Sequence, residues 1–517
     1  MSKNSNIIIA RGIRVDKDYI NVTDVNMLNV VQANAAASAN NFSFIRRNRS
    51  LKANFAYGTA ITCNYMAFQN PDYSNKWFFA WIDNVEYVGE NTIEIEFTID
   101  QFSTWFSSLN KSSVFVEREH VSDDGFGKHN LPEPVKPDKL ITNHVGYKRY
   151  TNFSIVVFWE PSQISSSDLG YALNGVYYTT AMVNRYNCDN AGISALQSDL
   201  SVGGSLANAS IISINVVPND FFSGNIISGD IKNVGQMDTT TFTYTAPVQT
   251  NLDGYVPVNN KCLIYPYNML AVSNGNLEKI YRYEKFALSL QGAGSFKIVG
   301  GVIPNGGATC YPMAYDGLVY ENVPESMDMG DLPMIASNID SFAAWLAQKS
   351  SGSVMQGIMS TLTGALAGGL KGGTVGAAVG AGTGLIRGVT NYMSQQEAAT
   401  AEKDHVVGTN NVTIDMVQGL MGFSFAQRCA VADDAERIDR FFSQFGYSVS
   451  TVKIPNYTGR TYWNYVKING SCGYGNIPEA ARAEINRILN NGTTIWHNHN
   501  NIGNYFIGGS KMQNPIT

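Results

Sequence analysis

Seven glycines fall four residues apart without a miss, at Gly364, Gly368, Gly372, Gly376, Gly380, Gly384 and Gly388. They lie in the stretch Gly352 to Gly388, where twelve of thirty-seven residues are glycine and only Lys371 and Arg387 are charged. An interior glycine costs a helix about 1 kcal/mol against alanine, so seven cost roughly 7 kcal/mol, comparable to the whole stability of a domain. In water the stretch is a poor helix and needs a partner or a different solvent. In a bilayer the backbone polar groups must bond within the segment, and small residues at this spacing let helices approach closely.

Val354, Met355, Ile358, Met359, Leu362, Leu366 and Leu370 recur at intervals of three and four, as on one helix face. The competing reading is a flexible Gly/Ala linker, which has no use for that face. A simple membrane anchor would want about 20 strongly apolar residues, yet the run from Ser353 to Leu370 is broken by Gln356 and several Ser and Thr. Thr374 to Thr390 is weaker still and carries Arg387, so constitutive insertion is not expected. A period of four drifts about 40° per step on an α-helix. A break is therefore expected near Lys371, Gly372 and Gly373, giving a hairpin of two small-residue helices. The candidate site residues are Val354, Ile358, Leu362, Gly364, Leu366, Gly368, Gly372, Gly376, Gly380, Gly384 and Gly388.

The length of 517 residues allows two to four domains. With 15% charged and 11% aromatic residues, the polar surface must come largely from Asn, Ser and Thr, a profile that suits a rigid, β-rich extracellular or virion protein. A net charge of −6 argues against a protein that grips nucleic acid by neutralising phosphates. The first residues lack the basic-then-apolar layout of a signal peptide, so synthesis and folding in a cytoplasm are expected. The six cysteines form no CxxC pair and read as small thiols of the core rather than a zinc site or disulfide framework.

From Ile7 to about Thr98 short β-like runs alternate with turn residues: Ile7 to Ile9, Ser50 to Ala56, Ile61 to Phe68, Trp77 to Val88 and Thr92 to Ile99. The last two read as a hairpin closed by Gly89, Glu90 and Asn91, with Ile93, Ile95, Phe97 and Ile99 on one face and Glu94 and Glu96 on the other. Pro132, Pro134 and Pro137 mark a boundary, after which many short apolar runs up to Leu332 read as sandwich or barrel material. A helix over Ile339 to Lys349 and a polar helix from Asn391 to about Asp404 would form a stalk on either side of the apolar insert. An amphipathic helix is expected over Asp433 to Phe445, with Ile438, Phe441, Phe442 and Phe445 inward and Gly446 as its stop. Strands over Tyr447 to Ile454 and Tyr462 to Ile468 follow, then a helix opened by Pro478 near its first turn and closed by Asn490, Asn491 and Gly492, and a strand over Thr493 to His497.

Three segments in the first part of the chain, Tyr65 to Trp81, Glu96 to Trp105 and Phe115 to Val121, together with Phe441 to Tyr447, Trp463 to Val466, Gly492 to His497 and Asn501 to Tyr505, resemble the tail knob proteins of small short-tailed bacteriophages infecting Gram-positive hosts. The order of these motifs, with a Gly/Ala-rich insert between them, carries the resemblance; the middle third matches only loosely. It implies a virion structural protein at the distal end of the tail, a ring-shaped homo-oligomer, a hexamer in the family, around a channel for DNA. It further implies that the apolar insert plugs the lumen and later enters the host membrane. The implied partners are other tail proteins (proximal tube or connector, and distal tip), the host cell membrane, and viral DNA that passes without specific binding.

The expected fold is mainly β with an α+β C-terminal part: a multi-domain β-barrel or sandwich tube protomer with a long helical apolar hairpin. The boundaries read as 1–120 for an N-terminal β domain, 121–332 for a middle β-rich domain, 333–405 for stalk and hairpin, and 406–517 for a C-terminal part packing with the N-terminal domain. Glu117, Glu119 and His120 sit close together, and His497 and His499 form an HxH pair that a strand would place on one face. A third metal ligand is not signalled, and Glu117, Arg118 and Glu119 read as ion-pair partners at subunit or domain contacts. No GxSxG, HExxH, P-loop or strand-to-helix GxGxxG occurs, so no catalytic residue, metal or cofactor is assigned. The rival readings are a tail tube protein without membrane action and a tail-borne cell-wall hydrolase, whose paired carboxylates are set in space rather than in sequence.

Overall fold

Among the described residues, alternating Ile, Val and aromatic side chains build sheets that are antiparallel at all but one strand pair, and strand is the commonest structure. The computed structural model describes residues 5–336 and 422–517, apart from short stretches such as 161–171 and 317–326. The candidate segment Val354 to Gly388 and the helices expected over 339–349 and 391–404 lie outside the described residues. Two compact units are present: Met1–Lys139 with Thr250–Tyr267 and Ala430–Thr517, and Leu140–Gln249 with Asn268–Cys429.

The first unit holds a seven-stranded antiparallel sheet, in the order Ala35–Asn40, Asn6–Ala10, Tyr65–Gln69, Trp77–Gly89, Thr92–Ile99, Ser50–Ala53 and Ser43–Ile45. The expected hairpin is its centre, with Ile93 and Ile95 fully buried beside Ile7, Ile9, Leu51 and Phe68. Each of these side chains contributes about 1.5–3 kcal/mol by leaving water. The other face, through Tyr65, Ala67 and Phe79, meets Met27, Val30 and Val31 and two indoles in contact at a tilt, Trp463 and Trp496. Those three apolar residues belong to a helix, Asp24–Ala33, where the β-run reading has no element. Their spacing of three and four is the helical signal, short and diluted by Asn.

Ile20–Val22, Thr493–Trp496, Trp463–Asn469, Val114–Glu119 and Tyr447–Lys453 form a five-stranded sheet in that order, joining segments from both ends of the chain. Ile20–Val22 runs parallel to Thr493–Trp496. The helix Glu479–Asn491 covers this sheet with Ile485, Ile488 and Leu489 against Val116, Val466, Ile468 and Ile495.

The second unit has a five-stranded sheet, in the order Lys232–Asn233, Met182–Asn187, Phe153–Glu160, Ser210–Pro218 and Met334–Ala336. Its central strand is buried on both faces and reads as an unbroken apolar run, Ile155 to Trp159. The helix Asn190–Leu200, also missing from the sandwich reading, sends Leu196 into that core. Two four-stranded sheets complete the unit: Thr239–Ala246, Gly294–Gly301, Ala308–Met313 and Met327–Asp328, and Leu140–Arg149, Gly422–Ala430, Asn268–Ser273 and Glu278–Tyr281. The rings of Tyr244 and Phe425, one from each, stack at 4.0 Å.

Candidate functional site

The chain reaches the candidate insert from one paired strand and returns on another. Met334–Ala336 is held to Ser210–Pro218 through Ile214 opposite Ala336 and Asn215 opposite Met334. Gly422–Ala430 pairs with Asn268–Ser273 residue by residue from Ser424 to Cys429. Gly422 sits at φ +137°, and a Cβ there would lie 2.0 Å from the carbonyl oxygen of Lys148, so only glycine fits where the described chain resumes.

Beyond this strand the helix Ala432–Phe445 becomes the anchor for two irregular segments, 121–139 and 250–267. Its own N-cap residue, Val431, offers no side-chain bond; the Ala432 N–H instead donates to Asp253 Oδ2 at 3.2 Å, a cap supplied by the second segment. Asp434 Oδ2 accepts the main-chain N–H groups of Asp138 and Lys139 at 2.8 and 3.0 Å. One turn further, Asp439 accepts from the Tyr255 hydroxyl and the Val258 N–H, each at 2.8 Å.

Two more carboxylates come from the first segment, the Glu133 side chain buried and Asp124 half-buried. Glu133 forms ion pairs with both Arg118 and Lys261 and accepts the Ser448 N–H at 2.9 Å. Burial pushes the Lys261 ammonium below its ordinary value, with the Glu133 charge opposing. Such a buried triad stands only while every member is paired. Asp124 accepts the Tyr447 hydroxyl at 2.7 Å on one oxygen and the Asn260 N–H at 3.0 Å on the other. Burial raises its carboxyl, the Tyr447 bond opposing. Gly446, at φ +64°, ends the helix where a Cβ would lie 2.1 Å from the Glu119 carbonyl oxygen.

Against this anchor lies a cleft of about 240 Å³, lined by His120, Asp124, Asn259, Ser443, Arg460 and Asn514 among others. A histidine beside a carboxylate in a cleft has the look of an acid–base pair. Here His120 spends both ring nitrogens on the frame, one on the Ser443 carbonyl at 3.1 Å and the other accepting the Tyr465 N–H at 2.7 Å. Burial, with the positive charges of Arg460 and Arg118, pushes its pKa down to about 3, so the ring is neutral. Both Asp124 oxygens are likewise engaged.

The other motifs from the sequence fall in place around the anchor. Glu117 pairs with Lys467 at 2.7 Å, Glu119 with Lys453, and Arg118 with Glu133. His497 and His499 do not share a strand face, because the strand ends at Trp496 and His499 opens a single 3-10 turn. His497 meets Asn464 Oδ1 at 2.9 Å, and His499 meets Asn34 at 3.4 Å. No described helix is long and apolar enough to cross a membrane.

Known proteins resemble most of the chain. The family model for the C-terminal domain of the tail knob protein gp9 of Bacillus phage phi29 matches residues 230–508, and that for the caudoviral major tail protein N-terminus matches residues 3–110. The tail knob protein gp9 of Bacillus phage PZA is 22% identical over 553 residues, covering 90% of each chain. That of Bacillus phage phi29 is 22% identical over 530 residues, covering 86% of this chain and 87% of its own. The structure of the bacteriophage C1 tail knob protein, gp12, superposes with a TM-score of 0.63 over 99% of this chain and 100% of that one, at 10% identity, a likeness of fold. The chain belongs to the bacteriophage tail knob protein family, structural components of the virion's tail.

Proposed function

We propose that copies of this chain assemble as a ring, a hexamer, at the distal end of the tail, enclosing the channel through which DNA leaves. The segment Gly352 to Gly388 plugs that lumen before ejection and enters the host membrane afterwards. The observation that carries this reading is the composition of the segment: thirty-seven residues with two charges and seven glycines at a strict spacing of four. Small residues serve both states, since several copies in a narrow lumen and several hairpins in lipid need close backbone approach. A free monomer exposing the apolar face would aggregate, so the interior of a ring is where it is stored. With net charge −6 per chain, the wall passes duplex DNA rather than holding it.

Electron microscopy of the purified protein tests the assembly: six-fold rings with density in the lumen are expected, and monomers at all concentrations would contradict the reading. Other tail proteins, a proximal tube or connector and a distal tip, are its neighbours in the virion under this proposal.

A further inference from the structure

The cleft beside the anchor is lined by a guanidinium that its surroundings engage on one side only. Arg460 is 8% exposed and belongs to the lining. Its main chain is held from two directions: the N–H donates to Asn464 Oδ1 at 3.2 Å, and the residue bridges Ile516, where 514–516 runs back along 460–462. The Thr461 N–H donates to the Pro515 carbonyl at 3.0 Å and the Tyr462 N–H to Asn514 Oδ1 at 3.0 Å. These bonds fix where the arginine side chain starts.

Among the described residues only Nη1 of that guanidinium finds an acceptor, the Asn514 carbonyl at 3.1 Å. Nε is buried without a hydrogen-bond partner, and Nη2 donates to no described residue. Nε–H and Nη2–H share one edge and point the same way, the fork that meets both oxygens of a carboxylate. Asp124 lines the same cleft, yet its oxygens take the Tyr447 hydroxyl and the Asn260 N–H and form no ion pair with Arg460. His120 is neutral and adds no charge. Burial lowers the Arg460 guanidinium below its ordinary value, with Tyr447 and Asp124 opposing. A charge held away from water is stable when it is paired and hydrogen-bonded.

The rest of the lining narrows the ligand. Val258, Pro515 and Ile516 are exposed and apolar, and the Ser443 hydroxyl, which accepts the Asn259 amide at 2.7 Å, keeps its own proton to donate. At about 240 Å³ the cleft falls below the roughly 300–1,000 Å³ of sites for drug-sized molecules and suits a small ligand. From this we infer that the cleft binds a carboxylate on a short apolar stem, with the Nε and Nη2 edge of Arg460 taking the oxygens and Val258, Pro515 and Ile516 covering the stem. A phosphate or sulfate fits less well, since it brings more charge toward Asp124 and has no stem to bury. A free aliphatic acid and a glutamate side chain of a neighbouring chain offer the same chemistry.

The test follows the fluorine NMR signal of trifluorobutyrate as the full chain is added at constant ionic strength. Saturable broadening is expected, half complete at about 1 mM, and none from the uncharged trifluorobutyramide. Arg460→Gln is expected to weaken binding about tenfold or more, and Arg460→Lys, which keeps the charge and loses the fork, about fivefold. A second pair of variants does not touch the buried arginine and decides the matter if Arg460→Gln fails to fold. Val258→Glu, at an exposed position, brings a carboxylate of its own to the cleft and is expected to bind the probe about tenfold more weakly than the equally large Val258→Gln. No saturable broadening, equal broadening by the amide, or equal binding by Val258→Glu and Val258→Gln overturns the site. Displacement of the probe by a capped Ala-Glu-Ala peptide would assign the carboxylate to a protein side chain, and displacement by butyrate alone to a free acid; either result supports the site.

Discussion

Asp439 accepts the main-chain N–H of Asn259 at 2.9 Å and its side-chain amide at 2.8 Å, across 180 positions of sequence. Both residues are buried, and the same carboxylate also takes the Tyr255 hydroxyl and the Val258 N–H. Replacing Asp439 by Ala leaves the buried Asn259 N–H without its acceptor, at about 1–3 kcal/mol, and takes the acceptor from the half-buried Tyr255 hydroxyl and the more exposed Val258 N–H, while the Asn259 side-chain amide keeps the Asp439 main-chain and Ser443 oxygens. Asp439→Ala is expected to lose about 2–4 kcal/mol in a urea melt, and Asp439→Asn, which keeps one accepting oxygen, distinctly less. A loss under about 1 kcal/mol for Asp439→Ala would show that the segment 250–267 is not held by this residue.

Acid should weaken the fold through His120. Its pKa is depressed in the folded chain to about 3 by burial and two guanidinium charges, against 6.5 when exposed. The stability this contributes is complete above pH 6.5 and is lost progressively as pH falls toward 3. His120→Gln forfeits the fitted ring at pH 7.5 but binds no extra proton on unfolding. The stability gap between parent and variant is expected to narrow by about 2–3 kcal/mol between pH 7.5 and pH 4.5. A gap that stays constant over that range would mean that the histidine is not held neutral.

The elements legible in the sequence are those whose signals are local. Thr92–Ile99 alternates strictly, and the helices Ala432–Phe445 and Glu479–Asn491 stop at Gly446 and Gly492, as their glycines indicate. Phe441 and Phe445, read as inward, are only half-buried, because the Arg118 guanidinium covers one ring at 4.9 Å and Tyr465 meets the other edge-on at 5.3 Å. Asp24–Ala33 escaped because its apolar triplet is diluted by asparagine and its packing surface, Trp463 and Trp496, arrives from the far end of the chain. The anchor was equally hidden. Segment 121–139 reads as a proline-marked boundary, yet Asp124 meets Tyr447 across 323 positions and Glu133 meets Lys261 across 128. No window of sequence contains those pairs. The apolar insert was legible by composition alone and lies outside the described residues.

Deleting the insert should spare the body. The flanking strands Met334–Ala336 and Gly422–Ala430 are paired by Ser210–Pro218 and Asn268–Ser273, none of which belongs to the insert. Loop length itself costs little, about 0.6 kcal/mol per doubling. A chain in which a short Gly/Ser bridge replaces Ser351 to Asn391 is expected to fold and to form rings with an open lumen, seen by microscopy. Loss of assembly would place the insert in the core.

The glycine period separates two ways of acting on a membrane, because they give opposite results on substitution. Replacing Gly364, Gly368, Gly376 and Gly380 by Leu raises apolarity while adding bulk at each close contact. A segment that acts by apolarity alone would permeabilise better, since each Leu favours insertion. One that acts by helix packing still binds lipid yet leaks less. The measurement is dye release from liposomes by peptides spanning Ser353 to Thr390, parent and Leu-substituted, compared at equal bound peptide. Leakage is expected from the parent and clearly reduced leakage from the variant; undiminished leakage from the variant, or none from the parent, would contradict helix packing in lipid.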